Sequence, residues 1–166
     1  MFDNEKSNIL SKLNEYFPLF QKFKLIGEPY IVGGFLRSVI LNREIKDLDI
    51  VILNGNLDNI LKNINDNKLD YIINRFGGVK IKFNNKYVDI WSANNLIEAI
   101  EYDFEGLFFD IYNKKFLDIG FTQAIKVGKV TEINLKNRVE EYYKERENKL
   151  NKELLKMRNY IEGDNI

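Results

Sequence analysis

The chain has 166 residues, 45% of them hydrophobic, which is enough to bury one good core, so a single domain with a helical appendage is expected. Lys plus Arg equals Asp plus Glu at 25 each, so no strong global field draws in nucleic acid and any polynucleotide contact has to come from a local patch. Histidine and cysteine are both absent, which excludes zinc sites, imidazole bases, histidine triads, thiol nucleophiles and a disulfide scaffold, and leaves carboxylate, lysine, arginine, hydroxyl and bound metal for chemistry.

In chain order, apolar residues at Ile9, Leu10, Leu13, Tyr16 and Phe17 have helical spacing and predict a packing helix ending near Pro18. Residues 24–32 lead into a short strand stopped by Gly33-Gly34, and Phe35 to Leu41 reads as a helix. The apolar stretch Asp-Leu-Asp-Ile-Val-Ile-Leu over 47–53 reads as the next strand. Asn54-Gly55-Asn56 is a turn signal, with helical periodicity from Leu57 to Ile64 behind it. Gly77 to Phe83, Asn84-Asn85 and Lys86 to Trp91 together predict a β-hairpin with Asp89 central in its second strand. Asn95 to Ile100 is expected to be a short helix, with strands at Gly106 to Ile111 and Lys115 to Ile119 around a turn containing Asn113. From about Ile133 to Ile161 the chain lacks Gly and Pro, is dense in charge, and spaces Val139, Tyr143, Leu150, Leu154, Met157 and Ile161 as one long amphipathic helix or two joined. Such a helix is expected to pack on the domain, on a partner protein or in a homodimer. No apolar run approaches the roughly 20 residues of a membrane span, and without a signal-like start a cytoplasmic protein is expected.

Asp47 and Asp49 are two apart on a strand, so their carboxylates project from one face. Two like charges so placed ask for a cation, and hard oxygen donors suit Mg2+ or Mn2+. Asp89, in the apolar setting Val88-Asp89-Ile90-Trp91, is the third candidate ligand. Phosphoryl and nucleotidyl transfer need charge neutralised on the phosphate and a lowered pKa on the attacking hydroxyl, which two metal ions about 4 Å apart can provide. Gly33 and Gly34 supply backbone that a triphosphate can approach without a β-carbon in the way, and Arg37 sits one turn into the following helix. Arg37 serves equally as a structural ion pair. Tyr87 and Trp91 share the face of Asp89 and are assigned to aromatic packing ahead of base stacking. The basic run Arg75, Lys80, Lys82, Lys86 reads equally as a polyanion path or a solvated hairpin face.

In these residues the chain resembles the nucleotidyltransferase superfamily, and in particular the head domain of the poly(A) polymerase and tRNA nucleotidyltransferase branch. That branch runs Gly-Gly-x-x-Arg-Asp, a leucine-rich helix, then Lys-Asp-x-Asp, and this chain reads Gly33-Gly34-Phe35-Leu36-Arg37-Ser38 and then Lys46-Asp47-Leu48-Asp49 without a gap in spacing. The resemblance implies Asp47, Asp49 and Asp89 as catalytic metal ligands, and Gly33, Gly34, Arg37 and Lys46 as nucleotide-binding residues. It implies an α/β (α+β) fold, a mixed and mainly antiparallel sheet with helices on one face, over a catalytic domain at 1–132 followed by the helix at 133–166. It also implies an NTP substrate, pyrophosphate release and an RNA acceptor such as a tRNA 3′ end. The likeness runs from about Tyr30 to Ile119, where Phe109-Asp110 and Leu117-Asp118 are similar to the family's closing hairpin. Three departures stand out. Ser38 replaces an Asp, residues 100–105 lose an arginine and an asparagine that help hold the nucleotide, and the base-selecting Glu-Asp-x-x-Arg motif is absent from the tail. Two other readings are therefore carried: a minimal transferase for a small molecule or protein, and a catalytically silent nucleotide-binding or regulatory module.

Overall fold

The computed structural model describes residues 2–22, 27–45, 47–73 and 77–163, so Lys46 and Arg75 lie outside the described residues. Its centre is a seven-stranded sheet: β1 Glu28–Val32, β2 Asp47–Leu53, β3 Tyr71–Ile73, β4 Val79–Phe83, β5 Lys86–Ala93, β6 Leu107–Asp110 and β7 Lys115–Asp118, in the order β3-β4-β5-β2-β1-β6-β7. The β2–β5 pair is parallel, and the other neighbours are antiparallel. A parallel pair needs a crossover. Here the chain between β2 and β5 supplies it through α4 (Leu57–Asp66) and the strands β3 and β4. The mixed, mainly antiparallel α/β architecture read from the sequence is the one observed.

Strand alternation divides the sheet into two unlike faces. On one, Leu48, Ile50 and Ile52 of β2, Val88 and Ile90 of β5, Ile31 of β1 and Val79 and Ile81 of β4 are fully or almost fully buried. They join residues of α1 (Lys6–Leu13), α3 (Gly34–Ile40), α4, α5 (Phe121–Val127) and α6 (Glu140–Gly163) in the main core. The other face carries Asp47, Asp49 and Asp89, and further along the same strands Val51 and Trp91. There a smaller cluster of Val32, Val51, Leu96, Ile100 and Phe108 forms under the 3-10 turn Leu96–Ala99. Trp91 packs against that cluster, as aromatic packing required.

Several element boundaries differ from the sequence expectations for identifiable reasons. Pro18 does not end the first helical region: a 3-10 turn at Asn14–Tyr16 leads into a second helix, α2, at Phe17–Lys22, where Pro18 occupies the first turn. Proline is tolerated there because its missing N–H has no helical partner. The C-terminal helix starts at Glu140 and not near Ile133. The preceding segment is held instead by residues 101–103: the amides of Ile133 and Asn134 donate to the Glu101 carbonyl, and Tyr102 bridges Glu132. Val139 consequently stays 72% exposed. The strand β3 and the helix α5 were not anticipated.

The apolar stripe of α6 is used within the chain, since Leu150, Leu154 and Met157 are fully buried in the main core. Beside that stripe Glu153, itself buried, accepts from Arg37 Nε at 3.2 Å and from Arg43 at 2.7 Å. Arg37 is 3% exposed and its Nε is engaged in this structural ion pair, while its Nη2 lies toward Gly34 at the cleft between α3 and α6. Burial alone would raise the Glu153 pKa, but the positive charges of Arg37 and Arg43 outweigh it and hold the carboxyl below its ordinary value. A depressed folded-state pKa stabilises the fold above the unfolded value, and that contribution is lost as pH falls through the folded one. Removing the acid leaves Arg37 buried without its partner. Glu153→Ala is expected to cost about 3 kcal/mol, read as a lowered midpoint in urea at pH 7, with the difference from wild type shrinking under acid conditions.

Candidate active site

One row of side chains crosses four strands on the open face. Val32 of β1 pairs in register with Asp49 of β2, Asp49 with Asp89 of β5, and Asp89 with Lys80 of β4. The next rung outward aligns Asp47 with Tyr87. The three aspartates expected to work together thus share a face, and the parallel β2–β5 register sets Asp49 directly beside Asp89. The β4–β5 turn that fixes this register uses Asn84 and Asn85, both with positive φ (48° and 64°), the backbone a tight two-residue hairpin requires.

Gly33 follows Val32 and turns the chain into α3 with φ 80° and ψ −140°, a conformation that favours glycine. A β-carbon at Gly33 would lie 3.6 Å from Asp49 Oδ2, so this backbone passes close to the carboxyl row.

Burial raises the Asp49 pKa to about 7, reinforced by the negative charge of Asp89 and a hydrogen bond to it. Burial also raises Asp89, against the pull of Lys80. Two facing carboxyls that cannot both ionise freely share a proton, held on Asp49. The nearest compensating cation, Lys80 Nζ, stands 3.7 Å from Asp89 Oδ2 and is partly solvated, so it balances little of the repulsion. Lys80 also lies over the Tyr87 ring at 5.3 Å. The donor chemistry fits a hard divalent cation: oxygen ligands only, excess negative charge and a partly enclosed setting. Asp49 and Asp89 would be the core of such a site, with Asp47 reaching in from the exposed rung. Among the described residues no three acidic groups are already drawn into a closed ligand cluster.

Two clefts meet at Asp47. One, of about 630 Å3, runs between α3 and α6 and is lined by Gly34, Arg37, Asp47 and Asp49 on one side and by Arg146, Lys149, Lys152 and Lys156 on the other. The second, of about 620 Å3, lies toward the hairpin, between Glu44, Ile45 and Asp47 and the residues Lys80, Asn84, Asn85, Lys86 and Tyr87. Lys86 pairs with Glu15 at 2.7 Å, so part of the basic run is structural. The α6 wall was missed from the sequence, although lysines at 149, 152 and 156 repeat at helical intervals beside the apolar stripe.

Other acidic residues near the sheet serve turns and edges. Asp103 accepts from the amides of Phe104 and Thr131, Asp110 from those of Tyr112 and Asn113, and Asp118 from the Thr122 hydroxyl and amide. Residues 100–105, where the sequence departs from the expected nucleotide-holding pattern, serve the architecture instead. Glu101 pairs with Arg138 at 3.6 Å, and Glu105 caps the amide of Tyr102 and pairs with Arg146 at 2.8 Å.

In sheet order, glycine turn and carboxyl row the fold is similar to that of known head domains. The sequence model of the Poly A polymerase head domain matches residues 29–106, just under half of the chain. Among solved structures, a CCA-adding enzyme in complex with ATP is similar at 18% identity with a TM-score of 0.59, over 80% of this chain and 36% of that one. The Thermotoga maritima CCA-adding enzyme complexed with tRNA is similar at 19% identity and TM-score 0.58, over 77% of this chain and 35% of that one. A CCA-adding enzyme complexed with CTP is similar at 17% identity and TM-score 0.58, over 77% and 36%. The chain therefore spans about a third of the length of these structures, and the likeness establishes the fold. No curated protein matches the sequence.

A folded-state pKa raised from 3.8 to about 7 means that the fold binds a proton the unfolded chain has released, so metal-free stability falls as pH rises through that interval. Asn at position 49 removes the repulsion. With chelator present at pH 8, Asp49→Asn is expected to raise stability on the order of 1–2 kcal/mol, solvent contact limiting the gain, and the advantage should vanish near pH 4. Thermal melts across that range check it.

Proposed function

We propose that the chain is a metal-dependent nucleotidyltransferase that moves a nucleoside monophosphate from an NTP to an acceptor hydroxyl, an RNA 3′ end of tRNA type being the favoured acceptor. The observation that carries this reading is the in-register pairing of Asp49 with Asp89, with Asp47 one rung away and the Gly33 turn alongside. The complexes of similar folds with ATP, CTP and tRNA support the choice of nucleotide and acceptor. No helix of the described residues is long and apolar enough to cross a membrane, and the proposed setting is the cytoplasm.

In the reaction the acceptor oxygen attacks the α-phosphorus, a new P–O bond forms, and the bond to the bridging oxygen breaks so that pyrophosphate leaves with its electron pair. Bound Mg2+ or Mn2+ would neutralise charge on the phosphates and lower the pKa of the attacking hydroxyl. Asp47 and Asp49 would hold the cation toward the α3–α6 cleft, and Asp89 would stand on the acceptor side. With no histidine in the chain, the hydroxyl proton would leave with the help of the bound cation, Asp89 standing close by. Gly33 and Gly34 leave room for the triphosphate beside Asp49, and Lys46 is assigned to the same nucleotide. Arg37, which anchors α6 through its Nε on Glu153, is assigned to the phosphates through its terminal nitrogens at the cleft.

The second reading, a small-molecule or protein acceptor, is favoured by the balanced charge and by the absence of the Glu-Asp-x-x-Arg motif from the tail, while Glu101 and Glu105, spent on internal ion pairs in the altered segment, favour a silent module. Incubation with α-labelled ATP or CTP, magnesium and either total RNA, protein extract or small alcohols separates the two, label in RNA supporting the first. Asp49→Asn and Asp89→Asn are each expected to lower transfer on the order of 10²-fold or more with an unchanged circular dichroism spectrum. Unchanged turnover in either variant contradicts the assignment, and failure of wild type to bind any NTP by calorimetry favours a silent module.

A further inference from the structure

The wall of the cleft opposite Asp47 and Asp49 comes from α6, well beyond the segment 29–106 that matches the head-domain family. Lys149, Lys152 and Lys156 repeat there at three- and four-residue steps, which places them on one helix face. Elsewhere on α6 cations are matched by an acid one turn away, Lys144 by Glu140 and Arg158 by Glu162. On the cleft face no such pair forms among the described residues: Glu145 stands one turn before Lys149 but makes no ion pair with it. Glu153, one turn after Lys149, is taken by Arg37 and Arg43, and Lys152 is followed one turn later by Lys156, a like charge that works against the helix. Arg146 is already neutralised by Glu105. The three lysines are exposed and make no ion pair among the described residues.

A row of ammonium groups without ion-pair partners among the described residues thus faces carboxylates across a cleft of about 630 Å3. A ligand satisfying both walls is strongly anionic on one side and carries a divalent cation on the other. A triphosphate chelating a cation has that distribution of charge. Lysines suit the role, because flexible stems let compact charges follow a phosphate chain.

We propose that Lys149, Lys152 and Lys156 clamp the triphosphate tail of the NTP against the C-terminal helix. The proposal rests on the nucleotidyl-transfer reading for the ligand's identity. It makes α6 part of the nucleotide site, with Glu153 fixing the clamp's position relative to α3.

Calorimetry on the full chain tests it, with ATP, inorganic tripolyphosphate and a short single-stranded RNA as probes, each with and without magnesium. The variants are Lys149→Gln/Lys152→Gln/Lys156→Gln and, as a control away from the cleft, Lys144→Gln. The triple variant is expected to melt like wild type and to bind both ATP and tripolyphosphate about tenfold more weakly or worse, while the control binds like wild type. Wild-type affinity for ATP and tripolyphosphate in the triple variant overturns the clamp, as does a loss confined to RNA or a wild type that binds neither anion. Lysine-dependent ATP binding without transfer to any acceptor leaves the clamp standing and removes the transferase reading. Transfer by wild type together with unchanged ATP affinity in the triple variant removes the clamp alone.

Discussion

Two carboxyl groups set side by side on adjacent strands, in a partly dry place, repel each other unless a proton or a cation comes between them. Asp49 and Asp89 are in that position because β2 and β5 run parallel and in register, the parallel pairing of an otherwise antiparallel sheet. The rest of the molecule bears on holding that register. Apolar residues of both strands, Leu48, Ile50, Val88 and Ile90, are clamped from behind by the helical layer, so neither strand can slip by one residue without turning its core set outward. On the open side the tight Asn84-Asn85 turn fixes β5 against β4 and sets Lys80 beside Asp89. The fold therefore forces an electrostatic conflict that a proton on Asp49 relieves and that a bound cation would relieve equally.

The C-terminal helix is integral to this arrangement. Its apolar stripe is buried in the chain's own core, and Glu153 ties it to Arg37 and Arg43 across more than a hundred residues of sequence. Burying Arg37 and Glu153 is expensive on its own account, since desolvating charge costs several kcal/mol per ion, and Arg43 joins them from a partly solvated position. Such a cost persists where geometry matters more than raw stability. Here the triad fixes the distance between the helix that follows the Gly33 turn and the helix that forms the other wall of the cleft.

How much of this was legible in the sequence follows from the range of each interaction. The spacing of Asp47 and Asp49 sits within one strand and is visible as a period of two, and the glycine turn and the following helix are equally local. Asp89 needed the hairpin before it, whose Asn-Asn turn is a strong local signal, but its register against Asp49 is a long-range fact that only the resemblance supplied. The helix α5 was overlooked although Gly120 and Gly128 bracket it, both in the left-handed region. The edge strand β3 is three residues long, below what alternation can reveal. The partner of Arg37 could not be read at all, since nothing in a periodic charged helix says which of its glutamates will be buried.

The same contrast explains why the cleft is asymmetric in origin. Its carboxylate wall belongs to the segment that resembles the head-domain family, while its cationic wall belongs to a helix outside that segment. Residues 100–105 lie between the two in sequence and connect them in space, because Glu105 draws Arg146 toward the cleft while Glu101 holds the link that precedes α6. A departure from the family pattern that reads in sequence as the loss of nucleotide contacts is, in three dimensions, the means by which the chain's own C-terminal helix is brought to face the carboxyl row. The position of α6 and the altered segment are therefore one structural fact, and any account of what binds in the cleft has to treat both walls together.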